Sequence, residues 1–250
     1  MRAEEFILAL SERAGSEEEL RRLQKGVPLG KDEQGNIVFS QTREKPLAIR
    51  HTCVTGADRT AFIKRLVVAL SCLYERSEIN FLVLSPRVEY GELLRLNGLE
   101  VTVPYVRSKS NLAEVKRCVC ELLELQTREK GCPKLALIFD GLEELDGCNQ
   151  NGDLEEYRAF FELLARRENI EIISGVELMK SIFSGYPGAF VGVGNCLVTL
   201  RGDGKADVTY VGDDSSLSLP TTLVYPNEPT VAEMIRFLNS LRVRKDGESA

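Results

Sequence analysis

The residues best suited to chemistry in this sequence form one short loop, Thr55-Gly56-Ala57-Asp58-Arg59-Thr60, between an apolar run and a helical pattern. In open α/β sheets anionic ligands bind at such a strand-to-helix loop, because the first backbone N–H groups of the helix point at the ligand. The pattern of phosphate-binding loops, G-x-x-x-x-G-K-S/T, is altered here. Cys53 and Asp58 stand at its two glycine positions and Arg59 at its lysine position, while Thr60 is retained. The loop therefore predicts a degenerate nucleotide site.

A second candidate group follows about 80 residues later. The run Leu135–Phe139 is continuously apolar and is followed by Asp140. In nucleotide hydrolases an aspartate in this place orients Mg²⁺ beside the loop Ser/Thr. Thr60 and Asp140 are therefore the expected magnesium pair, on the condition that a nucleotide binds. The next residue is Gly141, so a general base directly after the aspartate is not expected.

The altered loop positions have a physical cost. Asp58 places a carboxylate where backbone N–H groups would face phosphate, and at an effective dielectric of ~20 and ~5 Å each such repulsion is about 3 kcal/mol. Aspartate tolerates left-handed backbone angles, so the loop is expected to keep its shape while it loses its electrostatics. Otherwise Asp58 caps the helix. Arg59 keeps the positive charge, but a planar guanidinium is not equivalent to an ammonium, and pairing with Asp58 or Asp140 is an alternative.

The cysteines and the single histidine suggest no further chemistry. Seven cysteines are scattered without a C-x-x-C spacing, which is typical of buried thiols in a reducing cytosol: Cys53, Cys72, Cys118, Cys120, Cys132, Cys148 and Cys196. A zinc site of ordinary spacing is not expected with one histidine. His51, in the first predicted strand, is expected to be a packed strand residue and not a catalyst.

Short apolar runs alternate with helical patterns. The strands and helices that they predict must position Asp140 and the loop that ends at Thr60. Strands are predicted at Leu47–Cys53, Ile79–Leu84, Val101–Val106, Leu135–Phe139, Ile170–Ile173 and Cys196–Leu200. Helices are predicted near 59–74, 88–97, 110–128, 153–167, 177–184 and 230–241. The continuously apolar strands indicate a mainly parallel central sheet with helices on both faces. Cys196–Leu200 and Ala206–Val211 read as a C-terminal hairpin that closes one edge of the sheet.

The composition limits the class of protein. The chain has 250 residues, of which 43% are hydrophobic and 28% charged, as in an ordinary globular protein. The sequence has no run of 18 apolar residues, so neither a membrane-spanning helix nor direct membrane insertion is expected. A net charge of −6 argues against a free-standing DNA-binding protein. We divide the chain into a helical N-terminal appendage (1–26), an α/β domain (27–241) and a polar tail (242–250).

The order of these pieces resembles the RecA-type motor domain of the FtsK/SpoIIIE family, which includes DNA pumps and the coupling ATPases of type VII secretion. The resemblance runs from about Pro28 to Leu241. The family segment P-x-x-x-G-K-D followed by a glycine is matched by Pro28-Leu29-Gly30-Lys31-Asp32 and Gly35, with a shorter gap after the proline. A strand ending in D-P-K is matched by Ser85-Pro86-Arg87, and the V-N-E-M-x-R-R helix by Val119–Leu125.

The resemblance implies a RecA-like P-loop fold whose catalytic positions have changed. Where the family strand ends in T-Q, this sequence has Ser174-Gly175, so the γ-phosphate-sensing glutamine is absent. Loss of a positioned general base costs about 10²–10⁴-fold in rate. The implied protein is a cytoplasmic, non-hydrolysing ATPase-like domain that binds no ATP or binds ATP/Mg²⁺ weakly. Its expected partners are other ATPase subunits, in a homo- or hetero-oligomer, or a substrate protein.

Two other functions stay open. The first is an active ATP-dependent DNA or protein translocase in which Arg59 contacts phosphate and Glu143 or Glu144 acts as base. DNA pumping would need a basic pore loop, for which Arg107-Ser108-Lys109 is the one modest candidate. The second is an unrelated α/β protein that binds a small anion through Gly56, Ala57 and the helix start.

Overall fold

In a computed structural model, the described residues form one mixed sheet of ten strands. The structure describes residues 2–13, 26–40, 51–56, 58–74, 78–97, 100–104, 106, 108–128, 133–141, 164, 170–175, 196–210, 218, 220–225 and 230–248. The strands are β1 (Pro28–Lys31), β2 (Ile37–Phe39), β3 (His51–Thr55), β4 (Ile79–Leu84), β5 (Glu100–Thr102), β6 (Lys134–Phe139), β7 (Ile170–Gly175), β8 (Cys196–Leu200), β9 (Lys205–Tyr210) and β10 (Thr221–Val224). The helices are α1 (Ala3–Arg13), α2 (Arg59–Ser71), a 3₁₀ helix (Val88–Arg95), α3 (Lys109–Arg128) and α4 (Val231–Glu248).

Six neighbouring strands form the parallel part of the sheet, in the order β8-β3-β7-β6-β4-β5. In β6 the residues from Leu135 to Phe139 are all buried, including those that point to opposite faces. This is the burial that a continuously apolar run predicts, since both faces of a parallel strand are covered. The predicted α/β class with a mainly parallel central sheet is confirmed.

The predicted C-terminal hairpin is present, but it does not close an edge of the sheet. Strands β8 and β9 pair antiparallel, with Leu200 opposite Ala206. Strand β10 then pairs with β9, β1 with β10, and β2 with β1, so the edge on this side is β2. The expectation was wrong because β9 still offers unpaired N–H and C=O groups on its outer side, and another strand satisfies them.

The main core lies between one face of the sheet and three helices. Helix α2 contacts β1, β3, β7 and the 3₁₀ helix, and α4 packs on α2. Phe62, Ile63 and Leu66 of α2 are buried there with Val54, and the Phe62 and Tyr225 rings meet edge to face at 4.7 Å. Helix α2 is thereby fixed directly behind the loop that follows β3.

Helix α1 also contributes to the core. Its Phe6 and Leu10 are buried against Ile37, Ala69 and Leu73, and α1 contacts α4. The helical start that the sequence predicts is therefore present over Ala3–Arg13. The division of the chain at residue 26 stays a prediction, as does the second short helix predicted before it, which lies outside the described residues.

Helix positions follow the predicted patterns closely where the structure describes them. The segment near 88–97 forms a 3₁₀ helix at Val88–Arg95, and the last helix extends to Glu248. The predicted helix near 177–184 and all but one residue of that near 153–167 lie outside the described ranges. Among the described residues no helix is long and apolar enough to cross a membrane.

Candidate functional site

The two residue groups singled out from the sequence lie at the same edge of the sheet. Strand β7 separates β3 from β6, and all three run parallel, so their carboxyl ends are side by side. Asp140 follows β6, Gly175 ends β7, and the loop from Gly56 to Thr60 follows β3. The topology therefore brings Asp140, Gly175 and the start of α2 together, as ligand sites in open α/β sheets require.

The loop after β3 has two residues with positive φ among those that the structure describes. Asp58 has φ +60° and ψ 19°, the left-handed conformation that glycine adopts most easily. Gly56 has φ +106°, and a Cβ there would lie 2.6 Å from the Leu200 carbonyl oxygen. Asp58 is the N-cap residue of α2, but its side chain is exposed and makes no capping hydrogen bond. Ala57 lies outside the described residues.

Asp140 is the centre of the site and accepts hydrogen bonds from several side chains. Arg59 Nε donates to Oδ1 at 2.8 Å in a buried ion pair. The Thr60 hydroxyl donates to Oδ2 at 2.6 Å, and the Tyr90 hydroxyl donates to the same oxygen at 3.0 Å. Arg87 Nη1 donates to the Thr60 hydroxyl oxygen and also lies 3.4 Å from Oδ2. The carboxylate thus has two guanidinium and two hydroxyl partners.

Burial makes these contacts strong. The Asp140 side chain is 0% exposed and the Arg59 side chain 7% exposed, so water screens their attraction weakly. Burial, with the adjacent Asp140 carboxylate, raises the pKa of Tyr90 well above its ordinary value. Tyr90 therefore keeps its proton and remains a donor to Asp140.

Sequence reasoning anticipated only part of this arrangement. The pairing of Arg59 with Asp140 was one of the two pairings considered. Thr60 and Asp140 lie together as expected, but they are hydrogen-bonded directly to each other. Arg87 was noted as a motif match, but its approach to Thr60 was not foreseen. Tyr90 was missed, and no motif marks it. The structure explains its burial, because a 3₁₀ helix brings residues three apart to the same side and so buries Tyr90 with Leu93.

The 3₁₀ helix that carries Tyr90 is itself held to α2. The Lys64 ammonium pairs with Glu92 and donates to the Glu89 carbonyl oxygen at 3.5 Å. Lys64 belongs to the same helix as Arg59 and Thr60. Helix α2 and the 3₁₀ helix are therefore joined on both sides of Tyr90.

The residues as arranged do not fit a bound Mg²⁺. The ion needs oxygen ligands at about 2.0–2.1 Å in octahedral geometry. Here the Thr60 hydroxyl proton points at Asp140, and two guanidinium cations lie against the same carboxylate. A divalent cation would have to displace Arg87, break the bond between Thr60 and Asp140, and overcome repulsion from Arg59. The expected magnesium pair thus exists as a direct hydrogen bond.

A second polar cluster lies close by in the strands. His51 Nε2 and Ser174 Oγ are 2.7 Å apart, and Ser174 Oγ donates to the Cys53 sulfur at 3.7 Å. All three are buried, and burial raises the pKa of Cys53 to about 12. A thiol that stays protonated is a poor nucleophile, so Cys53 is not suited to act as a nucleophile beside His51. This supports the packing role predicted for His51.

Several residues named from the sequence cannot be placed. Glu143 and Glu144, the alternative bases, lie outside the described residues, as does Arg107 of the basic run. The alternatives that depend on them stay predictions.

Comparison with known proteins identifies the fold. No protein-family model matches the sequence, and no curated protein matches it. Among solved structures, the cytoplasmic domain of the type VII secretion ATPase EccC from Thermomonospora curvata matches 86% of this chain with a TM-score of 0.57 and 13% identity. ATPases 2 and 3 of EssC from Geobacillus thermodenitrificans match 81% with a TM-score of 0.51 and 14% identity. A protein described as an ATPase matches 84% with a TM-score of 0.55 and 14% identity.

These likenesses show a shared fold. The chain spans 31% of the EccC chain and 41% of the EssC chain. It covers 94% of the protein described as an ATPase. The chain therefore corresponds in size to a part of the secretion ATPases.

Proposed function

We propose that this protein is a non-hydrolysing ATPase-like module of a translocation or secretion motor. The observation that carries the proposal is the state of Asp140, whose two carboxylate oxygens accept hydrogen bonds from four protein side chains. A magnesium ligand in a working site keeps oxygen lone pairs for the metal or its water. In this chain the positive charge opposite Asp140 is supplied permanently by Arg59.

The phosphate position supports the same conclusion. Arg59 is turned towards Asp140, so its guanidinium is engaged where the family lysine would reach phosphate. Asp58 adds an exposed negative charge directly before the first turn of α2. The favourable helix-end field for an anion is worth about 0.3–1 kcal/mol at exposed sites, and a single close carboxylate outweighs it.

The hydrolytic apparatus is incomplete as well. Gly141 follows Asp140 and offers no side chain that could activate water. Gly175 stands at the place of the γ-phosphate-sensing glutamine. Missing base and missing sensor each lower the rate of hydrolysis, independently of nucleotide affinity.

The proposal also includes the kind of partner that the module binds. We propose that the module works in the cytoplasm beside other ATPase subunits and receives a partner or substrate protein there. The similar parts of EccC and EssC belong to longer chains, which supports a place within a larger assembly. The net charge of −6 favours a protein partner over DNA.

Calorimetry tests the proposal directly. Mg²⁺–ATP is titrated into the folded wild-type protein at low salt, and into the double variant Asp58→Gly/Arg59→Lys, which restores two loop positions. We expect no binding heat from the wild type up to about 1 mM ATP, a limit near −4 kcal/mol of binding free energy. The double variant should bind more tightly because it lacks the Asp58 charge and frees Asp140.

Micromolar binding by the wild type that disappears in Thr60→Ala and Asp140→Ala would overturn the proposal. It would show that the ion pair opens in the presence of nucleotide. Measurable hydrolysis by the wild type, alone or with partner subunits, would have the same consequence. Thermal unfolding of each variant checks that the loss of heat does not come from an unfolded protein.

A further inference from the structure

Gly175 occupies the narrow space between the two charged groups of the site. It is the last residue of β7, which lies between β3 and β6. In the sheet register Val54 is opposite Gly175, and Phe139 is opposite Ser174. The next residue after Phe139 is Asp140, so the Arg59 side chain has to pass directly over Gly175 to reach it.

The space above Gly175 has no room for a side chain. A Cβ built there would overlap Asp140 Oδ1 and would lie 3.0 Å from Arg59 Nε and 3.3 Å from Arg59 Cδ. Neither group can easily move away, because Asp140 also accepts hydrogen bonds from Thr60 and Tyr90. Gly175 does not have a left-handed φ, so its backbone conformation alone does not require glycine. The requirement comes from the ion pair.

We infer that Gly175 is a positioning residue that keeps the Arg59–Asp140 pair closed. The inference rests on the proposed function, in which the closed pair replaces nucleotide and metal. A glutamine at 175, as a nucleotide sensor, is incompatible with this pair. A compact side chain at 59 beside Gly175 would instead leave a gap next to a buried carboxylate.

A double-mutant cycle measures this coupling. Gly175→Ala is made in the wild type and in an Arg59→Ala background, and the melting temperature of all four proteins is recorded. We expect Gly175→Ala to lower it by at least ~5 °C in the wild type and by less than ~2 °C in the Arg59→Ala background. The difference arises because Asp140 can turn away from the new methyl group once Arg59 no longer holds it.

Two controls separate this role from a general intolerance of substitution. Gly91→Ala changes a glycine whose added Cβ would meet nothing within 4 Å, and it should leave the melting temperature unchanged within ~2 °C. Lys64→Ala removes another buried cation of α2, one that pairs with Glu92 and not with Asp140. Lys64→Ala should leave the loss of melting temperature caused by Gly175→Ala unchanged, whereas Arg59→Ala should reduce that loss.

The outcomes are distinct from those of the calorimetric test. Equal losses from Gly175→Ala in both backgrounds, or rescue by Lys64→Ala as well, would overturn the inference. If the Gly175→Ala protein does not fold by itself, a folded Gly175→Ala/Arg59→Ala protein supports the inference. An unfolded double variant, with Arg59→Ala folded, overturns the inference. Wild-type ATP binding with a coupled cycle would refute the proposed function alone.

Discussion

A buried aspartate with two guanidinium neighbours behaves differently from one that is available to a metal. In a metal site the unliganded carboxylate is poorly compensated, so its removal often leaves the protein equally stable or more stable. Asp140 is compensated by Arg59 within the chain itself. The effect of replacing Asp140 on the free energy of unfolding therefore distinguishes a charge-paired aspartate from one that is available to a metal.

Asp140→Asn should destabilise the protein strongly. The change leaves the Arg59 guanidinium, 7% exposed, without its counter-charge, and breaking a buried pair costs about 3–5 kcal/mol. Denaturant unfolding at pH 7 measures the loss. Glu121→Gln is the matched control, because the exposed pair of Arg117 and Glu121 at 2.7 Å contributes about 0.5 kcal/mol or less. An Asp140→Asn protein as stable as the wild type would contradict the closed pair.

The residues of the site were predictable to different degrees. The left-handed backbone at Asp58 followed from the motif, because the position requires glycine-like angles and aspartate tolerates them. Asp140 followed from its place after a buried strand. Tyr90 did not, since its role depends on the rotation of a 3₁₀ helix that sequence spacing alone does not fix. The choice of Asp140 over Asp58 as the partner of Arg59 is likewise set by three-dimensional distance.

At the scale of elements, the long apolar strands were predictable and three of the short strands were not. Strands β4 and β8 have the predicted bounds, Ile79–Leu84 and Cys196–Leu200, because apolar runs of five or six residues specify them. Strands β1, β2 and β10 have three or four residues each and were not predicted. Pairing stabilises such segments, and β1 pairs with β10, which is distant from it in sequence.

The hairpin of β8 and β9 carries a pH-dependent contribution to stability. Arg201 donates two hydrogen bonds to Asp207, at 2.8 and 2.6 Å, and Thr222 of β10 donates a third at 3.0 Å. The hydrogen bonds from Arg201 hold the pKa of Asp207 below its usual value. Because the folded pKa is lower than the unfolded one, this contribution is present above about pH 4 and is lost as the pH falls through the folded pKa.

Asp207→Asn should therefore lower the melting temperature at pH 7 and have no effect below the folded pKa of Asp207. The pair is partly exposed, so we expect a loss of less than about 1 kcal/mol. Thermal unfolding of wild type and variant between pH 2 and pH 7 tests the profile. Arg201→Gln removes the other partner and should give the same pH dependence. A difference that is constant across this range would refute the assignment.

At the scale of the whole molecule, α1 is bound into the same core as the helices behind the site. Phe6→Ala should lower the free energy of unfolding by about 3–5 kcal/mol, because Phe6 is 1% exposed among Leu10, Ile37 and Leu73. Leu8→Ala on the same helix removes a side chain that is 39% exposed and should cost about 0.5 kcal/mol or less. Denaturant unfolding compares the two. Equal, small losses would mean that α1 is an independent appendage.

The pairing of β1 with β10 has a consequence for biosynthesis. Lys31 is opposite Val224, so β1 waits for a strand that is translated long after it. At 5–20 residues per second the intervening chain takes about 10–40 s to synthesise. During that time the nascent chain offers an unpaired strand edge, the feature through which unrelated polypeptides associate. The strand order therefore makes the yield of folded protein depend on how well this edge is shielded at the ribosome.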